Sequence, residues 1–225
     1  MPTCILLTSK DTFWLVEHAQ NELVKNFEVL GTWRMNRKSP TLNSIREEFE
    51  HIPEVDYIFN FLSPKLVPVW LLAKAKVASI NFHPGSFEYP GIGSASYSIF
   101  DKKESYGVSA HYMTEKIDEG GIIAERFFKQ NPEWACAELF ENALKECCTL
   151  LTDVVNLLMQ NPNPPVVRTW SRSPVTRREF ESWMIIGENE SSDVIDRKIK
   201  ALNHPVFPGP FVKKNGHLFS YYQKG

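Results

Sequence analysis

Asn81 and His83 stand two positions apart where the apolar run KVASINF ends. An amide can donate to an oxygen that gains negative charge, and an imidazole can take or give a proton near neutral pH. Residues i and i+2 of a strand project to the same side, so both can converge on one reacting group. A single histidine at a strand end is otherwise an ordinary hydrogen-bonded residue. Pro84, Gly85, Pro90, Gly91 and Gly93 follow at once. They make either a plain connection or a stiff wall that lets a ligand approach the backbone closely. A third element, TEKIDEGGIIAE (114–125), sets Asp118 before a double glycine. That aspartate is either a turn residue or the acid that fixes an imidazole in one tautomer.

The elements that must position these residues are legible from periodicity. CILLTS (4–9) reads as a buried first strand, followed by a helix capped by Asp11 or Thr12 with Phe13, Val16, Leu23 and Val24 on its apolar face. FEVLGTW (27–33), VDYIFNFLS (55–63) and KVASINF (76–82) read as further strands. TLNSIREEFEHI (41–52) reads as an amphipathic helix, and Pro64 and Pro68 frame the start of another running through Leu71 to Ala75. This alternation predicts an α/β fold: an open, mostly parallel, Rossmann-like sheet flanked by helices, with ligands at the carboxyl ends of the strands. No G-x-G-x-x-G follows the first strand. GVSAHYMTE (107–115) and GIIAERFFKQ (121–130) alternate as strands. A long helix covers Trp134 to Met159, with Leu139, Ala143, Leu144, Cys147, Leu150 and Leu151 at helical spacing. NPNPP (161–165) marks a boundary, which divides the chain into a unit over 1–160 and an appendage over 161–225. The appendage reads as a helix at Ser192–Leu202 and a β-hairpin turning at Asn215-Gly216.

Composition narrows the function classes. At 225 residues and 43% hydrophobic the chain can bury a sizeable core, and a net charge of −2 argues against a whole-surface grip on nucleic acid, a local basic patch aside. Cys4, Cys136, Cys147 and Cys148 form no CxxC pair and no metal spacing with histidine, so neither a metal nor a disulfide framework is expected. No apolar run has the length of a membrane span and the first residues carry no leader pattern; a cytoplasmic enzyme is the expectation.

NFHPGSFEYPG followed by IDEGGII, 37 positions from Asn81 to Asp118, resembles the formyltransferases that use 10-formyltetrahydrofolate. YIFNFLSPKLVP (57–68) is similar to the strand and proline-started helix that precede that motif. The resemblance runs over residues 4–160 and is sharpest between 57 and 125. It implies Asn81, His83 and Asp118 as the catalytic set, with 10-formyltetrahydrofolate as co-substrate and no metal. An amine attacking a formyl carbon must lose a proton, which His83 can take or pass to the leaving nitrogen. Asp118 would hold the imidazole and Asn81 would donate to the oxyanion. By the same resemblance the pterin lies against the backbone of Phe61, Leu62 and Ser63 and the loop of Ile117 and Gly120.

IDRKIKALNHPVFPGPFVKKNGHLFSYY and TWSRSPVTRREF are similar to the tail and linker of bacterial sugar N-formyltransferases. That implies a nucleotide-linked amino sugar as acceptor, destined for surface polysaccharide such as lipopolysaccharide O-antigen. A homodimer through the hairpin is implied too, with neither nucleic acid nor membrane as partner. Lys10, Ser86 and Tyr89 are the candidates for substrate contact, against a solvated lysine and a loop-anchoring tyrosine. Arg177 and Arg178 read as a surface pair, and His111 as a structural residue outside the motif. Formylation of another amine, of the glycinamide ribonucleotide or methionyl-tRNA type, is the chief alternative, although the chain ends too soon for the basic barrel of the latter. A hydrolase or a non-catalytic sugar-nucleotide module are the others.

Overall fold

β1 (Thr3–Ser9) sends Cys4 and Leu6 to one side and Ile5 and Leu7 to the other, and all four are fully buried. A strand covered on both faces needs an apolar residue at every position, and each such side chain contributes about 1.5–3 kcal/mol on burial. The computed structural model describes residues 1–204 and 209–221. β1 is joined in one sheet by β2 (Glu28–Met35), β3 (Val55–Phe61), β4 (Ala75–His83), β5 (Ser105–Tyr112) and β6 (Ile122–Lys129). Their order is β2-β1-β3-β4-β5-β6. The first four run parallel, and β5 and β6 are antiparallel additions. The open, mostly parallel sheet expected from the sequence is what forms.

One face carries α1 (Phe13–Leu23), α3 (Ser94–Phe100) and α4 (Cys136–Gln160); the other carries a 3₁₀ helix (Leu42–Phe49) and the short α2 (Val69–Leu72). The four cysteines are buried free thiols. Two expectations need correction. Leu15, Val16, Ala19 and Leu23 form the buried stripe of α1, whereas Phe13 at its first position and Val24 beyond its last are exposed. Thr12 sits at the N-cap but its side chain makes no capping bond. The helix expected over 41–52 is a 3₁₀ segment broken at Ile45 (φ −116), and only its two ends, Leu42 and Phe49, are buried. Its middle is held only by the half-buried Ile45 and by the Trp70 indole, which donates to Asn43 at 2.7 Å, so a regular α-helix gains little there.

Beyond α4 the chain returns across the sheet edge and forms α5 (Arg177–Trp183), β7 (Ile185–Ile186), α6 (Ser192–Leu202), β8 (Phe211–Lys214) and β9 (His217–Ser220). α6 begins at Ser191, whose side chain accepts from the Val194 amide. The hairpin turns at Asn215 and Gly216 with φ of 51° and 80°, as a type I′ turn requires. It is not a lone pair of strands, because β8 runs parallel to β7. Residues 205–208 of the expected Pro-Gly turn lie outside the described residues. The stretch read as a basic linker holds α5, and its start was legible: Thr176-x-x-Glu179 is a capping box. The Thr176 Oγ1 accepts from the Glu179 amide at 3.2 Å and the Glu179 carboxylate accepts from the Thr176 amide at 2.7 Å.

α5 docks on α3 through rings. Trp183 lies 4.5 Å from Tyr97 and 5.3 Å from Phe100, and Phe180 lies 5.8 Å from Tyr97. Gly93 makes that approach possible, since it is left-handed (φ +83) and a Cβ there would sit 2.2 Å from the Phe180 ring. Gly93→Ala is expected to cost roughly 2 kcal/mol, a fall of about 4–8 °C in melting temperature by calorimetry.

Candidate active site

Register alone brings the polar side chains together. Asn60 of β3 pairs with Asn81 of β4, and Asn81 with His111 of β5, so all three lie on one side of the sheet. His83, two residues on, lies opposite Ser109 on the same side. Asn60 Nδ2 donates to Asn81 Oδ1 at 2.9 Å, and Asn81 Nδ2 lies 2.9 Å from His111 Nε2. His111 Nδ1 faces the Tyr112 carbonyl at 2.8 Å and so carries a proton there. Its Nε2 then accepts from Asn81. The same nitrogen lies 3.1 Å from Asp118 Oδ1, so protonating the ring would turn it from the amide to the carboxylate.

Asp118 comes from the β5–β6 connection, in a left-handed conformation (φ 45) that aspartate tolerates better than most residues. Its Oδ2 accepts from the Gly91 amide at 2.7 Å and lies 3.2 Å from His83 Nδ1. One carboxylate thus ties together β4, β5 and the Pro/Gly loop. Burial alone would push the Asp118 carboxyl up. His83, His111 and the Gly91 N–H outweigh it and hold it down at about 2. Asp118 is therefore ionised at neutral pH.

With Nδ1–H given to Asp118, Nε2 is the working nitrogen of His83. It lies 3.0 Å from the Tyr89 carbonyl, which accepts a proton held there. In the base form its lone pair faces that carbonyl instead, and an amine that comes to give up a proton must take the carbonyl's place.

The stretch between α4 and α5, expected as a linker, closes the site. The amide of Val167 donates to the Ile122 carbonyl at 2.8 Å, that of Ser171 to Phe87 at 3.1 Å and that of Val175 to Pro90 at 3.0 Å. This strap fastens β6 to the Pro/Gly loop. Between those bonds, the Trp170 indole meets His83 and His111 edge-on at 5.5 and 5.2 Å, and its N–H donates to the Gly120 carbonyl at 2.9 Å. No signal in the sequence marks Trp170, because its role depends on the path of the strap. His111, set aside as structural, is in the network. Its signal was Ser105, Ser109 and His111, three polar residues on one side of β5.

The other candidates are placed as follows. Phe61 is fully buried in an edge-on contact with Phe82 and so offers only main chain. Leu62 is left-handed (φ 63), and Ser63 has a buried hydroxyl with no partner among the described residues. Ile117 is exposed beside Asp118. The Gly120 carbonyl is engaged by Trp170. Lys10 is exposed just past β1, and Ser86 is buried with an unpartnered hydroxyl. Tyr89 is corrected from ring contact to loop anchor: its side chain is buried and its hydroxyl donates to Asp101 at 2.8 Å, so only its carbonyl meets the site.

The chain is similar in sequence and in fold to known formyltransferases, the proteins its motif resembles. It is similar to the GDP-perosamine N-formyltransferase of Brucella melitensis, 27% identical over 165 residues that cover 73% of this chain and 63% of that protein. Among solved structures, a 4-N formyltransferase from Francisella tularensis superposes with a TM-score of 0.77 at 18% identity, covering 99% of this chain and 97% of that one. The N-formyltransferase from Helicobacter canadensis, in complex with folinic acid and dTDP-3-aminofucose, gives 0.65 at 18% identity over 96% and 85%. Methionyl-tRNA formyltransferases also stand among the sequence relatives. The chain spans less than two thirds of the length of the curated relatives it matches. No family model matches it.

The Asp118 carboxyl, held at about 2 against an ordinary value of 3.8, gives a signed expectation. A depressed carboxyl stabilises the fold at pH values above the ordinary value, and that contribution fades as pH falls from about 4 to about 2. Its size is about 2 kcal/mol. Asp118→Asn is expected to lower stability by roughly that amount at pH 7 and to flatten the acid limb between pH 4 and 2 in urea titrations.

Proposed function

We propose that the chain transfers a formyl group from 10-formyltetrahydrofolate to the amino group of a nucleotide-linked amino sugar. In that reaction a C–N bond forms between the sugar amine and the formyl carbon, and the bond from that carbon to the folate nitrogen breaks. The amine loses a proton and the leaving nitrogen gains one. His83 Nε2 receives the first proton and is placed to return it, while Asp118 keeps the ring oriented and stabilises its charged form. Asn81, partly exposed beside His83, donates to the oxygen on which charge develops. The observation that carries this reading is the Asp118 carboxylate seated against His83 Nδ1 at 3.2 Å, one strand position pair from Asn81.

Fit to the co-substrate is supported by the left-handed Leu62, one residue past the Phe61–Phe82 pair, and by the buried hydroxyls of Ser63 and Ser86, unpartnered among the described residues. Those groups cost free energy unless a ligand or water bonds them. The main chain of Phe61, Leu62, Ser63 and Ile117 would hold the pterin, and that of Gly120 the same ring once its carbonyl is shared with Trp170. Thr8, the penultimate residue of β1 and also with an unpartnered buried hydroxyl among the described residues, and Lys10 just past that strand lie where the strand order reverses between β1 and β3. Open α/β sheets bind ligands at such a crevice, which supports Lys10 as the contact for a diphosphate. Residues 1–160 would carry the chemistry and 161–225 would close and orient it.

The sugar acceptor rests on the likeness of the whole described C-terminal part to a 4-N formyltransferase and on the GDP-perosamine enzyme among the relatives. Surface polysaccharide such as O-antigen is the destination this implies, in the cytoplasm where folates and sugar nucleotides meet. No helix of the described residues is long and apolar enough to cross a membrane. β9 is a sheet edge with Leu218 and Phe219 more than half exposed. Such an edge is a ready surface for a second copy, so the homodimer would form there; Phe219→Lys should convert it to a monomer by light scattering.

Mass analysis of products from 10-formyltetrahydrofolate and a panel of amino-sugar nucleotides tests the reaction. One acceptor gains a formyl group with wild type, Asn81→Ala is slower by about 10²–10³, and His83→Ala gives no product above background. Tetrahydrofolate release with no formylated sugar would instead identify a hydrolase.

A further inference from the structure

The chain carries a net charge of −2, yet a cleft of about 580 Å³ is lined by Lys102, Lys103, Lys129, Arg197 and Lys200, with Glu104 as the one acid among its lining residues. It opens between α6, the turn after α3 and the connection from β6 to α4, and none of Asn81, His83 and Asp118 borders it. We propose that this cleft is a second, non-catalytic site for a nucleotide, with its phosphates among the lysines and its base against Trp134.

The cations differ in how firmly they are held. Lys129 has no ion-pair partner among the described residues. Lys102 meets Asp193 at 3.4 Å with both side chains about two-thirds exposed, an interaction worth about 0–1 kcal/mol that a phosphate can replace. Arg197 is fixed more firmly: its Nη1 donates to the Phe100 carbonyl at 3.2 Å, its guanidinium lies 4.5 Å over the Phe100 ring and its Nε meets the same Asp193 at 3.0 Å. Lys103 pairs with Glu88 at 2.6 Å, and Lys200 donates to the Pro132 carbonyl. Charges from three separate elements thus converge on one concavity, which focuses their field.

The walls distinguish a nucleotide from a bare anion. Trp134 is partly buried against the core and lines the cleft with Ile99 and Pro132. Stacking of a base on such a ring contributes about 1–3 kcal/mol. Gln130 also lines it; its Oε1 accepts from Ser98 at 2.8 Å, which leaves its amide N–H groups as donors. The volume falls within the ordinary range for small-molecule sites. Beyond Lys200 the surface turns acidic at Glu133 and Asp196, so the basic region ends there.

The test reads the cleft separately from the active site. The chain has six tryptophans, so protein labelled with 5-fluorotryptophan gives few fluorine resonances, and Trp134→Phe assigns the one needed. GDP should move the Trp134 resonance saturably at pH 7, and the pair Lys102→Glu with Lys129→Glu should weaken that effect at least about tenfold while the other resonances keep their positions. A Trp134 signal unmoved by millimolar GDP, or moved equally in the charge-reversed variant, would overturn the site. Equal response to inorganic pyrophosphate would overturn the nucleotide assignment. Formyl transfer is assayed independently and none of these results bears on it.

Discussion

Taking a carboxylate out of water costs several kcal/mol unless charges and hydrogen bonds surround it, and Asp118 is almost completely buried. Its two oxygens meet His83 Nδ1, His111 Nε2 and the Gly91 amide. Those groups come from β4, β5 and the loop after β4, so the position of each depends on the charge of one residue. The left-handed conformation of Asp118 (φ 45) is part of the same constraint. Gly120 makes the turn possible: a Cβ there would lie 1.8 Å from the Tyr112 carbonyl.

The Pro/Gly loop and the strap follow from that centre. Gly91 gives its amide to Asp118 and lies so close to Val175 that a Cβ would meet main-chain atoms at 2.4 Å. The loop is therefore held from inside by the carboxylate and from outside by the strap. Tyr89, anchored on Asp101, presents its carbonyl to His83 as a consequence. Trp170 completes the enclosure over both imidazoles, which lowers the local dielectric and strengthens every charge interaction beneath it. α5 and its capping box continue that docking surface along α3.

Much of this was legible before any coordinates. The both-sided apolar pattern of CILLTS specified a buried strand, and the alternation of strands and helices specified the parallel sheet. Asn81, His83 and Asp118 stood out because their order and spacing match a chemical need. What stayed hidden depended on tertiary path. His111 reads as one polar residue in a strand until the register sets it opposite Asn81. Trp170 lies far along the chain in a segment without periodicity. Tyr89 was legible as an aromatic in a loop, and only burial decides that it anchors that loop. The 3₁₀ segment at 42–49 reads as a helix by pattern, because the break at Ile45 and the burial of its two ends alone cannot be seen in the sequence.

The most direct measurement of the central constraint is the ring-nitrogen NMR spectrum of the protein with ¹⁵N-labelled histidine, wild type beside Asp118→Asn. If Asp118 holds the His83 imidazole, that ring carries a proton on Nδ1 in the wild type and its resonances change in the variant, while His111 keeps its Nδ1 proton against the Tyr112 carbonyl. A His83 ring protonated on Nε2 alone in the wild type, or one unchanged in the variant, would contradict it.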